Sequence, residues 1–215
     1  LVGSEMCIRD RYYNNTDFHN RVNLNLDDRS EFNKAKTVAE KADIVVMVLG
    51  EEGYQSGEGR SRTNIKLPGL QLELLKEIYE INKNIVLVVN SGRPLDLSWE
   101  DENIPTIVQA WQLGSRSGEA IAKVLYGDYN PSGKLTMSFP RNVGQVPIYY
   151  NFKNTGRPST SIEQVTNSGY ADVENSALYP FGHGLSYTKF SYTDVLLDKT
   201  ELTLKSKITL SFKIK

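Results

Sequence analysis

The sequence predicts an α/β fold: a largely parallel sheet with helices on both faces, then an extended linker, then the start of an all-β sandwich. Three observations carry this expectation. The runs at 44–49 and 85–89, with a third at 104–111, are apolar on both faces, as suits central parallel strands covered on each side. Between them apolar residues recur at helical intervals, so strand and helix alternate as far as residue 140. Beyond that point Gly, Pro, Asn, Ser and Tyr dominate, and strand-like alternation returns only near residue 189.

Composition bounds what such a chain can do. Its 215 residues suffice for one sizeable domain plus part of another. At 39% hydrophobic and 24% charged it belongs with globular chains, not disordered ones. A net charge of −1 offers no long-range attraction to nucleic acid or an anionic membrane. No apolar run approaches the roughly 18 residues of a bilayer span, so no membrane insertion is expected. Cys7 is the only cysteine, which excludes an intrachain disulfide and a thiolate metal site. His19 and His183 lie far apart without ligand spacing, and neither a metal nor a cofactor is expected.

In chain order, residues 1–11 are too short in apolar core for a secretory signal; they resemble a translated cloning or adapter sequence and are read as a non-native leader. Val22, Leu24 and Leu26 alternate as a short strand does. Phe32, Ala35, Val38, Ala39 and Ala42 predict a helix, with Asp28 and Ser30 as candidate caps. The strand at 44–49 follows. Leu70, Leu74, Leu75, Ile78 and Ile81 form the stripe of a second helix closing near Asn82. After the strand at 85–89, Gly92-Arg93-Pro94 forces a turn. Ile121, Val124 and Leu125 mark a further helix that Gly127 can end through a left-handed cap. The stretch 141–178 is read as an extended connection held by its tyrosines. From Phe190 to Ile214 the pattern is that of opening sandwich strands, too few to bury both faces.

The stretch around which the chain is organised is 50–68, GEEGYQSGEGRSRTNIKLP, lying between the first strand and the second helix. Connections in α/β units usually run to roughly two to six residues, and longer ones are functional or disordered. A phosphate cradle is poorly supported, because glutamates would face the anion and the Gly-Lys-Ser/Thr ending is missing. Gly57-x-Gly59 lacks the rest of a dinucleotide fingerprint. On composition alone, two readings stay open: a solvated surface loop with local charge pairs, or a loop carrying a general acid.

Ser56-Gly57-Glu58-Gly59 with Ser61-Arg62-Thr63 and Leu67-Pro68 resembles the acid/base loop in the second domain of family 3 glycoside hydrolases, the β-glucosidase and β-xylosidase group. Further matching runs follow in order: Asn90-Ser91-Gly92-Arg93-Pro94-Leu95, Gly127-Asp128-Tyr129-Asn130-Pro131-Ser132-Gly133, Ser138-Phe139-Pro140 and Tyr179-Pro180-Phe181-Gly182-His183-Gly184. The resemblance implies an α/β domain at 12–140, a linker at 141–187 and a truncated fibronectin type III-like domain at 188–215. It also implies that an N-terminal TIM-type barrel belongs to the parent enzyme and is lacking here. The chain by itself is therefore expected to be inactive.

By the same resemblance, Glu58 takes the position of the proton donor. The nucleophile is an aspartate on the barrel, and the substrate a β-linked glucoside or oligosaccharide. Retaining hydrolysis needs two carboxyl groups roughly 5–5.5 Å apart, so loop and barrel must meet. Glu51 and Glu52 are the local rivals of Glu58. Arg62, with Arg60, either contacts sugar or makes a local ion pair. Trp99, among acidic neighbours, is the better exposed stacking candidate, whereas Trp111 is read as core. Asp128 and Asn130 are read as turn-holding residues. A non-catalytic carbohydrate-binding or scaffolding domain of the same fold is the alternative, and a flavodoxin-like regulatory domain rests on strand–helix alternation alone. An extracytoplasmic setting is expected from the resemblance; sugar specificity and oligomeric state are not legible.

Overall fold

A computed structural model describes residues 28–53, 55–159 and 166–215. The expected strand at 22–26, the leader, Cys7 and His19 lie outside the described residues. Three strands, β1 (Val45–Gly50), β2 (Ile85–Asn90) and β3 (Thr106–Gln109), form a parallel sheet in the order β1-β2-β3. The register pairs Val45 with Ile85, Gly50 with Asn90 and Val86 with Thr106, so the strands' carboxyl ends share one edge. Among the described residues four α-helices connect or flank them: α1 (Phe32–Glu40), α2 (Gln71–Ile81), α3 (Ser98–Asn103) and α4 (Ser117–Leu125).

One contiguous core joins the alternating residues Val45, Met47 and Leu49 of β1 and Ile85, Leu87 and Val89 of β2 to Phe32, Ala35 and Ala39 of α1 and Leu74, Leu75 and Ile78 of α2. The opposite positions Val46, Val48 and Val86 are half-buried whereas Val88 is fully buried, so burial alternates along β1 but β2, the central strand, is covered on both faces at Val88. Helix α4 buries none of its residues. Val38 and Ile81 are 44% and 38% exposed, although the helical spacing places both in apolar stripes. Neither Asp28 nor Ser30 is the N-cap of α1. That place falls to Glu31, and the Asp28 side chain instead accepts from the Ser30 N–H at 2.9 Å.

Helix ends behave as their residues dictate. Asn82 closes α2, and its amide donates to the carbonyls of Ala39 and Ala42 at 3.0 and 2.7 Å, joining the ends of α1 and α2. Gly127 takes a φ of 80° just after α4, where its N–H reaches the Val124 carbonyl.

The stretch after residue 140 returns to the domain. Leu135 donates to His183, Gly182 to Leu135, Phe139 to Tyr179 and Leu178 to Phe139, so 178–183 runs beside 135–139. The Tyr179 hydroxyl donates to Asp101 at 2.6 Å and the Tyr187 hydroxyl to the Val124 carbonyl at 2.6 Å. Burial, reinforced by Asp101, pushes the Tyr179 phenol well above its ordinary range. Strands β4 (Tyr192–Leu197) and β5 (Leu210–Ile214) pair antiparallel, with an irregularity between Thr193 and Leu196. Their apolar side chains stay in solvent: Leu196 is 67% exposed and Ile214 57%.

Candidate functional site

The long loop leaves β1 at the carboxyl edge of the sheet, where Gly50 makes the exit possible. Its φ is 137°, and a Cβ there would lie 1.8 Å from the Asn90 carbonyl oxygen of β2. No side chain fits that gap. The Gln71 amide, at the start of α2, accepts from the Gly50 N–H at 2.7 Å and donates to its carbonyl at 3.0 Å. Glu51 extends the ladder by donating its N–H to Asn90 at 2.7 Å. Both ends of the loop are thus fastened to the sheet.

Glu51 is buried, and its carboxylate receives two guanidinium groups. Arg62 donates to Oε1 at 2.6 Å, and Arg93 Nε lies 3.0 Å from Oε1 and 3.2 Å from Oε2. Each arginine spends a further N–H on loop main chain. Arg93 Nη2 donates to the carbonyls of Gln55 at 2.7 Å and Arg60 at 2.6 Å, and Arg62 Nη2 to that of Lys66 at 3.1 Å. The Ser91 hydroxyl donates to the Arg93 carbonyl at 2.8 Å and accepts from Gln109 of β3 at 3.0 Å. All three strand ends therefore meet beneath the loop. Ser56 is pressed onto Gly92 so closely that a Cβ there would stand 1.9 Å from the serine Oγ.

Glu58 projects from the tip of this braced loop. It is exposed, in a turn closed by the Arg60 N–H donating to the Gly57 carbonyl at 3.1 Å, and makes no hydrogen bond among the described residues. The flanking glycines have φ of 143° and 68°, backbone that L side chains rarely adopt. Such a carboxyl is free to meet a group presented from outside the chain.

The other candidates are placed as follows. Arg62 has a side chain 9% exposed and committed to Glu51 and the Lys66 carbonyl. Glu51, a rival proton donor by sequence, is enclosed by its two arginines. Trp99 is not an open platform: it lies half-buried on α3, edge-on to Tyr79 at 5.7 Å between ring centres and with the Lys76 ammonium 5.1 Å over its ring. Trp111 packs against the core beside Phe139, with a φ of 52°. Asn130 donates to the Thr188 hydroxyl at 2.8 Å and accepts from the Tyr187 N–H at 2.8 Å. No group of three His, Cys, Asp or Glu among the described residues can hold a metal ion.

The acidic neighbours of Trp99 are not all solvated: Asp96 is 5% exposed and Glu100 1%, and Glu100 Oε1 has no hydrogen-bond partner among the described residues. Burial, aided by Asp96, pushes its pKa up to about 7. Arg93 was missed as a loop anchor. The only signal was its place after a strand's end, and the 42 residues separating it from Glu51 hide the pairing.

The glycosyl hydrolase family 3 C-terminal domain matches residues 6–187. This chain belongs to glycosyl hydrolase family 3. Over 182 residues it is 46% identical to the periplasmic beta-glucosidase of Salmonella typhimurium, covering 84% of this chain and 24% of that protein. It is 40% identical over 187 residues to a beta-xylosidase of Formosa agariphila, covering 85% of this chain and 24% of the other. Among solved structures, the beta-glucosidase of Listeria innocua in complex with gluconolactone superposes with a TM-score of 0.75 at 36% identity, over 81% of this chain and 24% of that one. The family 3 chain thus spans about a quarter of the length of the curated relatives it matches.

Proposed function

We propose that this chain is the acid/base-bearing domain of a retaining, exo-acting β-glycosidase, with Glu58 as the proton donor. The observation that carries the reading is the placement of Glu58: a carboxyl without a partner among the described residues, on a glycine-flanked turn at the tip of a loop braced from below. Glu58 protonates the departing glycosidic oxygen while an aspartate on the enzyme's barrel domain bonds to the sugar's anomeric carbon. In the second step Glu58, now a carboxylate, takes a proton from water as that water displaces the aspartate.

The Salmonella relative and the Listeria structure, both named as beta-glucosidases, support a β-linked glucoside as substrate. The periplasmic relative supports an extracytoplasmic setting, and among the described residues no helix is long and apolar enough to cross a membrane. Replacing Glu58 with Gln in the full-length enzyme tests the assignment. Turnover of a natural β-glucoside should fall by about 10²–10⁴, the usual contribution of general acid catalysis. An aryl glucoside, whose leaving group departs without a proton, should be cleaved in the first step at close to the parent rate. Near-parental turnover of the natural glucoside would overturn the assignment.

A further inference from the structure

We propose that Glu51 is a positioning residue for Glu58, acting through Arg62 and Arg93 to hold the catalytic loop in one geometry. This rests on the reading of Glu58 as proton donor. The carbonyls gripped by Arg93 belong to Gln55 and Arg60, so one guanidinium bridges the two sides of the turn that carries Glu58. Arg62 fastens the loop's outgoing limb at Lys66. Both cations converge on a single carboxylate whose side chain is wholly buried.

Without that carboxylate the two guanidinium groups would repel each other in a site with little water, and relief would come by parting. Parting releases the carbonyls of Gln55, Arg60 and Lys66 together. The tip then loses its fixed height above the sheet, although nothing at Glu58 itself has changed. The contact of Ser56 with Gly92 marks how little slack remains. A side chain that must meet a bond held by another domain is sensitive to small displacement: about 1 Å is enough for a hundredfold loss.

The test uses full-length enzyme carrying Glu51→Gln, Arg93→Lys or Glu58→Gln, assayed on a nitrophenyl β-glucoside and a β-linked glucose disaccharide. Glu51→Gln should lower kcat/KM on the disaccharide by about a hundredfold and spare first-step cleavage of the aryl substrate, repeating the leaving-group signature of Glu58→Gln. Arg93→Lys keeps the charge but cannot reach Glu51 and both carbonyls, and should show the same signature more weakly; it decides the matter if Glu51→Gln does not fold. Equal losses on both substrates, or none, while Glu58→Gln still discriminates between them, would overturn the positioning role alone. If Glu58→Gln itself fails to discriminate, the proton-donor reading falls, and the role of Glu51 with it.

Discussion

At Glu100 the fold holds a carboxyl group with almost no solvent and one oxygen without a hydrogen-bond partner among the described residues, so the neutral acid persists up to about pH 7. Because its pKa rises from 4.5 to about 7, the native state binds more protons than the unfolded chain between those values. The stabilisation is whole below the lower value and is lost as pH rises through the upper one, in total about 3 kcal/mol at most. Glu100→Gln should therefore leave stability near pH 4.5 unchanged and raise it by about 1–3 kcal/mol near pH 8. Urea denaturation at both pH values checks this, and equal effects at the two would contradict it. The acidic residues of the sequence make Trp99 the better exposed stacking candidate, yet Glu100 is buried. Trp99, next to Glu100 in sequence, is covered by Tyr79 and Lys76 of α2, residues from another element.

Among the elements, periodicity identified α1, α2, α4 and the parallel strands, but not which end of each stripe is covered. Leu75 and Ile81 lie on the same predicted face, yet Leu75 is fully buried and Ile81 is 38% exposed. Leu75→Ala should cost about 2–5 kcal/mol through lost transfer energy and a cavity. Ile81→Ala should cost about 1 kcal/mol or less, since it leaves no enclosed void. Equal midpoint shifts in denaturation would show that the stripe is buried uniformly. Helix α3 escaped notice because six residues, SWEDEN, are too short for a period and too acidic to read as packed. Leu97 stands at its N-cap, and the Asp96 side chain just before it accepts from the Ser98 N–H at 3.1 Å.

Over the whole molecule, the α/β unit and the terminal hairpin differ in what holds them. Residues 178–183 are laced to 135–139 by main-chain bonds, and Phe139 and Tyr179 meet edge-on at 5.9 Å. Strands β4 and β5 keep their apolar side chains in solvent, held mainly by their own ladder and the Lys213–Asp194 pair. Removing residues 190–215 should accordingly change the melting temperature of the α/β unit by less than about 2 °C, as scanning calorimetry would show. A larger drop would mean that the hairpin covers part of the core.

The amino-acid order by itself determined the alternation of strand and helix, the glycine-rich loop after β1 and the place of Glu58 within it, because periodicity, turn chemistry and motif spacing are local. Only the tertiary structure decided that Glu51 is enclosed by Arg62 and Arg93, that Trp99 is packed, and that Glu100 is buried. Those outcomes depend on side chains distant in sequence meeting at one sheet edge or beneath one helix, and contact of that kind sets both solvent access and charge pairing.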